Sequence, residues 1–261
     1  MAEQVLAALI ELAPSGVEQR DGPGFVEFAI YGAPGELPSF PEGPAEVGGV
    51  EVVVRGEPVP DDWAERWKRF HVPVLVGGRL WVRPPWEQPA LRPGVHEIVI
   101  DPGQAFGTGT HPTTRLCLEL MLELEPGGSF ADLGCGSGVL AIAAAKLGFG
   151  PVCAYDSDRA AVEATAANAR DNGVVLDGVE RFDLRRAPPP TARVVAANLM
   201  RPLLLALTSA MRERPEVAIL SGLLAHEADE VSAAWGMREV RRLTDRGWSA
   251  LLLTCEDLPG L

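Results

Sequence analysis

The fold is decided by the stretch Phe130-Ala131-Asp132-Leu133-Gly134-Cys135-Gly136-Ser137-Gly138-Val139-Leu140. Its first residues alternate in polarity as a buried strand does, and residues 139–146 have the composition of a helix. Three glycines separate these patterns, so the backbone of the turn can come close to a ligand. Unpaired N–H groups at the start of the helix can donate hydrogen bonds to an anionic or hydroxyl-bearing group. The stretch therefore predicts a site for a nucleotide-like ligand.

Asp156 lies about twenty residues beyond this turn, at the end of the next predicted strand. A carboxylate there can accept hydrogen bonds from both ribose hydroxyls of a nucleoside. The glycines at 134, 136 and 138 form G-x-G-x-G, whereas dinucleotide sites favour G-x-G-x-x-G. This spacing resembles the S-adenosylmethionine motif of the Rossmann-like methyltransferases, in which Asp132 would face the amino acid moiety and Asp156 the ribose. The turn has no Walker lysine, which disfavours an ATP-hydrolysing P-loop.

Residues 96–261 alternate between strand and helix patterns, and this segment is predicted to be the catalytic domain. Continuous apolar strands between helices predict an α/β fold, a Rossmann-like domain with a mostly parallel twisted sheet covered on both faces. The predicted strands are 97–100, 130–133, 151–156, 180–182, 194–197, 217–220, 239–241 and 249–253. The predicted helices are 112–124, 139–146, 159–172, 201–213 and 223–235.

Residues 1–60 differ in pattern and are predicted to form a small α+β domain. A helix over 5–12 precedes strands at 24–30 and 50–54, with a stretch rich in Gly and Pro between them. Residues 61–95 are predicted to be a linker with a helix at 61–70 and a hairpin. Trp63, Trp67 and Phe70 share one face of that helix and are interpreted as packing residues. The hairpin would turn at Gly77-Gly78.

Two further segments carry a resemblance to one family. They are Asp101-Pro102-Gly103-Gln104-Ala105-Phe106-Gly107-Thr108-Gly109-Thr110-His111-Pro112-Thr113-Thr114-Arg115 and Ala197-Asn198-Leu199. From about residue 63 onward the chain resembles the ribosomal protein L11 methyltransferases, in which the first segment is a loop over the cofactor. The resemblance implies S-adenosylmethionine as cofactor and maps Thr114, Gly134, Asp156 and Asn198 onto cofactor-contacting positions. With the glycine turn and the loop, the predicted cofactor-binding set is Phe106, Thr113, Thr114, Asp132, Gly134, Gly136, Gly138, Asp156 and Asn198.

The loop from 101 to 110 is physically suited to act as a gate. Its glycines allow the backbone to bend over a ligand, and Phe106 can shield that ligand from water. Thr113 and Thr114 offer hydroxyl groups at the start of the following helix. His111 is compatible with two roles, a helix cap or a catalytic base.

Asn198 is the predicted catalytic residue. Methyl transfer from a sulfonium is an in-line displacement, so the protein mainly has to align a neutral amine with the methyl carbon. We expect the Asn198 side chain or a nearby backbone carbonyl to accept a hydrogen bond from that amine. The alternative is a structural role, in which Asn198 only ties the strand end to its loop.

The net charge of −13 bears on the partner. Such a charge argues against nonspecific binding to nucleic acid and suits a basic protein partner. The family resemblance makes ribosomal protein L11 the expected substrate and residues 1–60 the expected recognition domain. The chain has a helix pattern where the family has a first β-strand, so this domain is expected to be shortened or rearranged. The alternatives are methylation of another basic protein or of a small molecule, an NAD-dependent oxidoreductase, and a nonenzymatic binding protein.

Composition also bears on the compartment. Four cysteines lie in or beside apolar runs without a C-x-x-C pair, so free thiols in a reducing environment are expected, and no metal site is predicted. The chain has no apolar run of membrane-spanning length and no basic signal-peptide start, so a cytoplasmic location without membrane contact is expected.

Overall fold

The computed structural model describes residues 5, 9, 18–22, 24–30, 42–56, 71–89, 92–102, 109 and 111–255. The chain divides into two compact units, Met1–Ala64 and Glu65–Leu261. The helix predicted at 61–70, with its aromatic face, lies outside the described residues. No helix within the described ranges is long and apolar enough to cross a membrane.

The first unit contains two antiparallel hairpins. Strand β1 (Glu18–Gly22) pairs with β2 (Phe25–Ala29), and β3 (Gly43–Val47) pairs with β4 (Val50–Val54). Val5 and Leu9 are helical, and they are buried in a small core with Val47. The predicted strands correspond to β2 and β4, whereas β1 and β3 were missed because their sequences are polar or rich in Gly and Pro.

The described part of the second unit contains, first along the chain, a small three-stranded sheet. Strands β5 (Val74–Val76) and β6 (Leu80–Arg83) form the predicted hairpin around Gly77-Gly78. Strand β7 (His96–Val99) pairs in parallel with β6. The strand predicted at 97–100 is therefore present but belongs to this small sheet and not to the main one.

The main sheet has seven strands within the described residues, in the order β10-β9-β8-β11-β12-β14-β13. Neighbours from β10 to β12 are parallel, and β14 is antiparallel to both β12 and β13. These strands are β8 (Phe130–Leu133), β9 (Val152–Asp156), β10 (Gly178–Arg181), β11 (Val194–Asn198), β12 (Val217–Leu224), β13 (Arg238–Asp245) and β14 (Trp248–Thr254). The predicted α/β fold with a mostly parallel sheet is confirmed.

Five helices of this unit are described, namely α1 (Pro112–Met121), α2 (Val139–Leu147), α3 (Arg159–Asp171), α4 (Arg201–Ala210) and α5 (Ala228–Trp235). The prediction of a helix from 223 was wrong. Strand β12 continues to Leu224, where it pairs with Trp248, and a short 3-10 turn over Ala225–Glu227 precedes α5. The helix predicted to end at 213 ends at Ala210.

Two apolar clusters lie on the two faces of the main sheet. Phe130 packs in one cluster, which contains residues of α1 and α2 such as Leu116 and Leu140. Leu133 packs in the other cluster, which contains Leu204 of α4 and residues of α5. Helices therefore cover both faces, which leaves the ends of the strands as the place where a ligand can bind.

Candidate functional site

The glycine turn connects β8 to α2 in a conformation that requires glycine. Gly134, Gly136 and Gly138 have φ angles of 78°, 54° and 82°. A Cβ on Gly134 would lie 2.4 Å from the Leu199 side chain, and one on Gly138 would lie 3.1 Å from the Thr165 backbone. A side chain is thus disfavoured by the backbone at all three positions and also by packing at Gly134 and Gly138, so the turn presents bare main chain at its glycines at the end of β8.

Asp156 ends β9 beside this turn and is held by two backbone groups. Its Oδ2 accepts a hydrogen bond from the Gly136 N–H at 3.0 Å, and its Oδ1 accepts one from the Asp158 N–H at 2.9 Å. Each carboxylate oxygen can accept more than one hydrogen bond, so both retain capacity for hydroxyl donors. The sequence-predicted ribose acceptor therefore has a fixed position and orientation.

Asp132 lies beneath the turn and is buried. Its Oδ2 accepts a hydrogen bond from the Ala141 N–H near the start of α2, at 3.1 Å. Burial raises the pKa of this carboxyl from 3.8 to about 7, and the negative charge of Asp156 acts in the same direction. The carboxyl is bound to protein backbone, so one role that the structure gives Asp132 is to join strand, turn and helix.

The Asp132 carboxyl should make stability depend on pH. Between about pH 4 and 7 the native state keeps a proton that the unfolded chain releases, so stability falls as the pH rises through this interval. An Asp132→Asn variant lacks this titration. Relative to the wild type, we expect the variant to gain roughly 2–3 kcal/mol of unfolding free energy between pH 5 and pH 8. Urea denaturation of both ligand-free proteins at the two pH values measures the difference, and parallel pH dependences would contradict the assignment.

Asn198 ends β11 and contacts the start of α1. Its Nδ2 donates a hydrogen bond to Oγ1 of Thr114 at 3.2 Å, across 84 residues of sequence. Thr114 is buried, so the contact fixes one end of the Asn198 amide. The Asn198 Oδ1 atom is consequently oriented as an acceptor near the carboxyl ends of β8 and β11.

His111 is the N-cap of α1. Its Nδ1 accepts a hydrogen bond from the Thr113 N–H at 3.3 Å and lies 2.8 Å from Oγ1 of Thr113. Burial lowers the pKa of His111, which favours the neutral imidazole that this cap requires. Its ring also meets the edge of Trp248 at a centroid distance of 5.2 Å. Of the two roles considered for His111, the geometry supports the cap.

The predicted site residues of the gate loop are only partly described. Phe106 lies outside the described residues, as do most positions of the loop. Thr113 and Thr114 are buried in the first turn of α1, close to His111 and Asn198 respectively. The structure therefore brings Thr114 and Asn198 together, and it brings Asp132, Asp156 and the three glycines together at the neighbouring strand ends.

Sequence reasoning missed the inward face of α3. The buried Asn168 side chain donates to the Ser137 carbonyl at 2.9 Å and accepts from the Asp101 N–H at 3.1 Å. One residue thus links the glycine turn to the start of the gate loop. Thr165, one turn earlier, donates to the Gly136 carbonyl at 3.0 Å. The available signal was polar residues at helical spacing on an otherwise alanine-rich helix.

All these residues lie along one edge of the main sheet. Strand β8 has its sequential successor β9 on one side and β11 on the other, so the chain reverses its direction of progress across the sheet at this point. In open α/β sheets ligands bind beyond the carboxyl ends of the strands at such a switch point. From β9 to β11 the edge presents Asp156, the glycine turn and Asn198 in that order.

Comparisons with known proteins agree with this geometry. The family model described as "Ribosomal protein L11 methyltransferase (PrmA)" matches residues 49–255. The ribosomal protein L11 methyltransferase of Desulforapulum autotrophicum is 37% identical over 217 residues, which are 78% of this chain and 71% of that protein. The one from Caldanaerobacter subterraneus is 44% identical over 168 residues, which are 63% of this chain and 52% of that protein.

A solved structure gives the same result. The crystal structure of ribosomal protein L11 methylase from Lactobacillus delbrueckii subsp. bulgaricus has a TM-score of 0.62 at 28% identity, and the match covers 72% of this chain and 100% of that one. The chain spans between 52% and 71% of the length of the two curated relatives named above. The prediction of a methyltransferase that uses S-adenosylmethionine as its cofactor is confirmed. The alternative of an NAD-dependent oxidoreductase is not supported by these matches. This chain belongs to the ribosomal protein L11 methyltransferase family.

Proposed function

We propose that this protein transfers methyl groups from S-adenosylmethionine to amines of ribosomal protein L11, at lysine side chains, at the N-terminal amine, or at both. The observation that carries the proposal is the contact between Asn198 and Thr114, which orients a side-chain amide beside the glycine turn. The names of the relatives support L11 as the substrate.

The residues at the carboxyl edge fit the cofactor. Asp156 would accept hydrogen bonds from the ribose hydroxyls, and the bare main chain of the glycine turn would lie against the nucleoside. The predicted positions Phe106, Thr113 and Thr114 would cover the cofactor from the side of the gate loop. Asp132 would act through the turn that it braces, on the side of the cofactor's amino acid moiety.

The reaction needs alignment more than acid–base chemistry. S-adenosylmethionine, when bound, would supply an activated methyl group: the lone pair of a neutral amine would form the new N–C bond, and the electrons of the broken C–S bond would stay on the sulfur. Positive charge develops on the amine nitrogen, which then releases a proton to solvent. An acceptor at Asn198 Oδ1 can hold an amine N–H and stabilise this charge while the lone pair points at the methyl carbon.

An Asn198→Ala variant tests this role. We expect kcat for methyl transfer to fall about 10- to 30-fold, because one hydrogen bond to a group that gains charge is lost. Thr114→Val, which removes the oxygen that orients the Asn198 amide, should lower kcat by a smaller factor. Single-turnover kinetics at saturating cofactor measure both, with cofactor affinity determined separately by calorimetry. An unchanged kcat in Asn198→Ala at normal cofactor affinity would leave Asn198 only a structural role.

Electrostatics support a basic protein as the acceptor. The net charge of −13 attracts a lysine-rich partner and disfavours direct contact with nucleic acid. Within this proposal residues 1–60 form the recognition domain, 61–95 the linker and 96–261 the catalytic domain. A ribosomal substrate would also place the enzyme in the cytoplasm.

The substrate is tested by incubating the protein with labelled S-adenosylmethionine and purified L11, followed by mass mapping of the modified amines. The proposal requires label on lysine or N-terminal amines of L11. Label on another basic protein or on a small molecule, with none on L11, would keep the methyl-transfer chemistry and reject the substrate.

A further inference from the structure

A group of apolar side chains continues the site beyond Asn198. Met200 is 70% exposed two residues after Asn198, and Leu224 is 38% exposed at the end of β12. Leu224 pairs across the sheet with the half-buried Trp248, whose ring edge meets His111. We call Met200, Leu224 and Trp248 the acceptor rim. Single exposed apolar side chains are common on protein surfaces, but those on neighbouring segments beside a reaction centre are placed to contact a ligand or partner.

The acceptor rim is held by close packing and by ion pairs. The backbone of Leu199 lies against Gly222, where an added Cβ would be 2.4 Å from the Leu199 carbonyl oxygen. Arg201, next to Met200, lies 3.3 Å from Glu227, and the same carboxylate accepts the Leu224 N–H at 2.9 Å. The segments that carry Met200 and Leu224 are therefore fixed to each other by one glutamate.

The sheet order determines what can occupy this surface. Asp156 and the glycine turn lie at β9 and β8, Asn198 lies at β11, and the acceptor rim lies at the ends of β11 and β12 and the start of β14. A cofactor bound over β9 and β8 approaches Asn198 from one side. In-line displacement requires the attacking nitrogen to lie opposite the sulfur, across the methyl carbon. The acceptor must then arrive from the side of β12 and β14, where the acceptor rim is.

The charge around the acceptor rim also bears on the occupant. Beside Met200, Arg201 forms ion pairs with Glu227 and Glu230, and beside Trp248 the Asp245 carboxylate pairs with Arg115 and Arg246. The three carboxylates and three guanidinium groups balance, so the selectivity of the rim comes from its apolar side chains. Apolar side chains are complementary to the aliphatic stem of a lysine side chain.

We propose that the acceptor rim binds the methylene stem of the acceptor lysine and the extended peptide segment that carries it. This inference rests on the proposed methyl transfer to a protein amine and assigns the acceptor side of the site to named residues. It requires that Met200 and Leu224 govern acceptor binding and leave cofactor binding unaffected.

The test uses a bisubstrate conjugate, in which the side-chain nitrogen of a lysine-containing tripeptide is joined covalently to the adenosyl amino acid at the position of the sulfonium. Calorimetry compares this conjugate with S-adenosylhomocysteine. The wild type should bind the conjugate more tightly, and Met200→Ser/Leu224→Ser should bind it about tenfold more weakly than the wild type because apolar contact with the stem is lost. The affinity for S-adenosylhomocysteine should stay within about twofold.

The substitutions are chosen so that the variants keep the native fold. Met200 and Leu224 are both N-cap residues without a side-chain capping bond, and serine is a favoured N-cap. Val175→Ser is the matched control, because Val175 is 87% exposed before β10, at the opposite edge of the sheet. Equal conjugate affinity in the wild type and the double variant would overturn the inference. The conjugate assay measures binding alone, so absence of L11 methylation would reject the proposed substrate without deciding the role of the acceptor rim.

Discussion

Replacing Gly222 with alanine is expected to lower the free energy of unfolding of the second unit by about 4 kcal/mol. Gly222 has a φ of 83°, and a Cβ there would lie 2.4, 2.7 and 2.9 Å from the backbone O, C and N of Leu199. These atoms are main chain and cannot rotate away, so left-handed strain of about 1 kcal/mol adds to overpacking of about 1–3 kcal/mol or more. Urea denaturation followed by circular dichroism measures the loss, and the Tm should fall by roughly 10 °C.

Gly247→Ala is the matched control for this effect. Gly247 has nearly the same φ, 81°, yet a Cβ there would meet nothing within 4 Å. It should cost only the conformational strain of about 1 kcal/mol, so the difference between the two variants isolates the contact with Leu199. Equal losses in the two variants would mean that the packing of Leu199 on Gly222 contributes nothing to stability.

An Asp156→Ala variant is expected to bind S-adenosylhomocysteine at least about 100-fold more weakly than the wild type. Two hydrogen bonds from ribose hydroxyls to a carboxylate are each worth roughly 1.5–3 kcal/mol, and every 1.4 kcal/mol corresponds to a factor of ten. The variant also leaves the Gly136 N–H without its acceptor, which loosens the turn that the cofactor contacts. Isothermal titration calorimetry gives the affinity.

Asp158→Ala is the control for the cofactor measurement. Asp158 caps α3 through its side chain, which accepts the Ala160 N–H at 2.9 Å, while only its backbone N–H contacts Asp156. Loss of the cap should lower stability by about 1 kcal/mol and leave cofactor affinity nearly unchanged. A loss of affinity below threefold in Asp156→Ala would remove Asp156 from the cofactor site.

Local patterns predicted the elements on which the site is built. Four of these patterns depend on interactions between residues that are close in sequence, and for that reason they could be predicted. They are the alternation from Phe130, the three glycines, the helix from Val139 and the Asp158 cap. The course of β12 was not readable in this way. Ser221-Gly222-Leu223-Leu224 has no strand pattern of its own. Ser221 is held by pairing with Asn198 of β11, and Leu223 and Leu224 are held by pairing with β14 beyond an irregularity in the register.

Contacts that assemble the site from distant segments could not be predicted from pattern. Asn198 reaches Thr114 across 84 residues, and Asn168 reaches Asp101 across 67. Asn198 was identified as a site residue only because its segment resembles one in a known family. An asparagine side chain can hydrogen-bond to many kinds of backbone group. The helical spacing of Asn168 therefore shows that it faces inward but does not indicate which groups it binds.

Strand β14 is near the end of the sequence but lies inside the sheet, so the sheet cannot be completed until this late part of the chain has been synthesised. Residues 249–254 are buried between β12 and β13, so neither neighbour is paired on that side until this late segment has left the ribosome. Strands β8, β9 and β11, which carry the glycine turn, Asp156 and Asn198, are all synthesised earlier. Leu224 and Trp248 come together only when β14 inserts. A nascent chain therefore contains all the residues of the cofactor side before Leu224 and Trp248 of the acceptor side can pair.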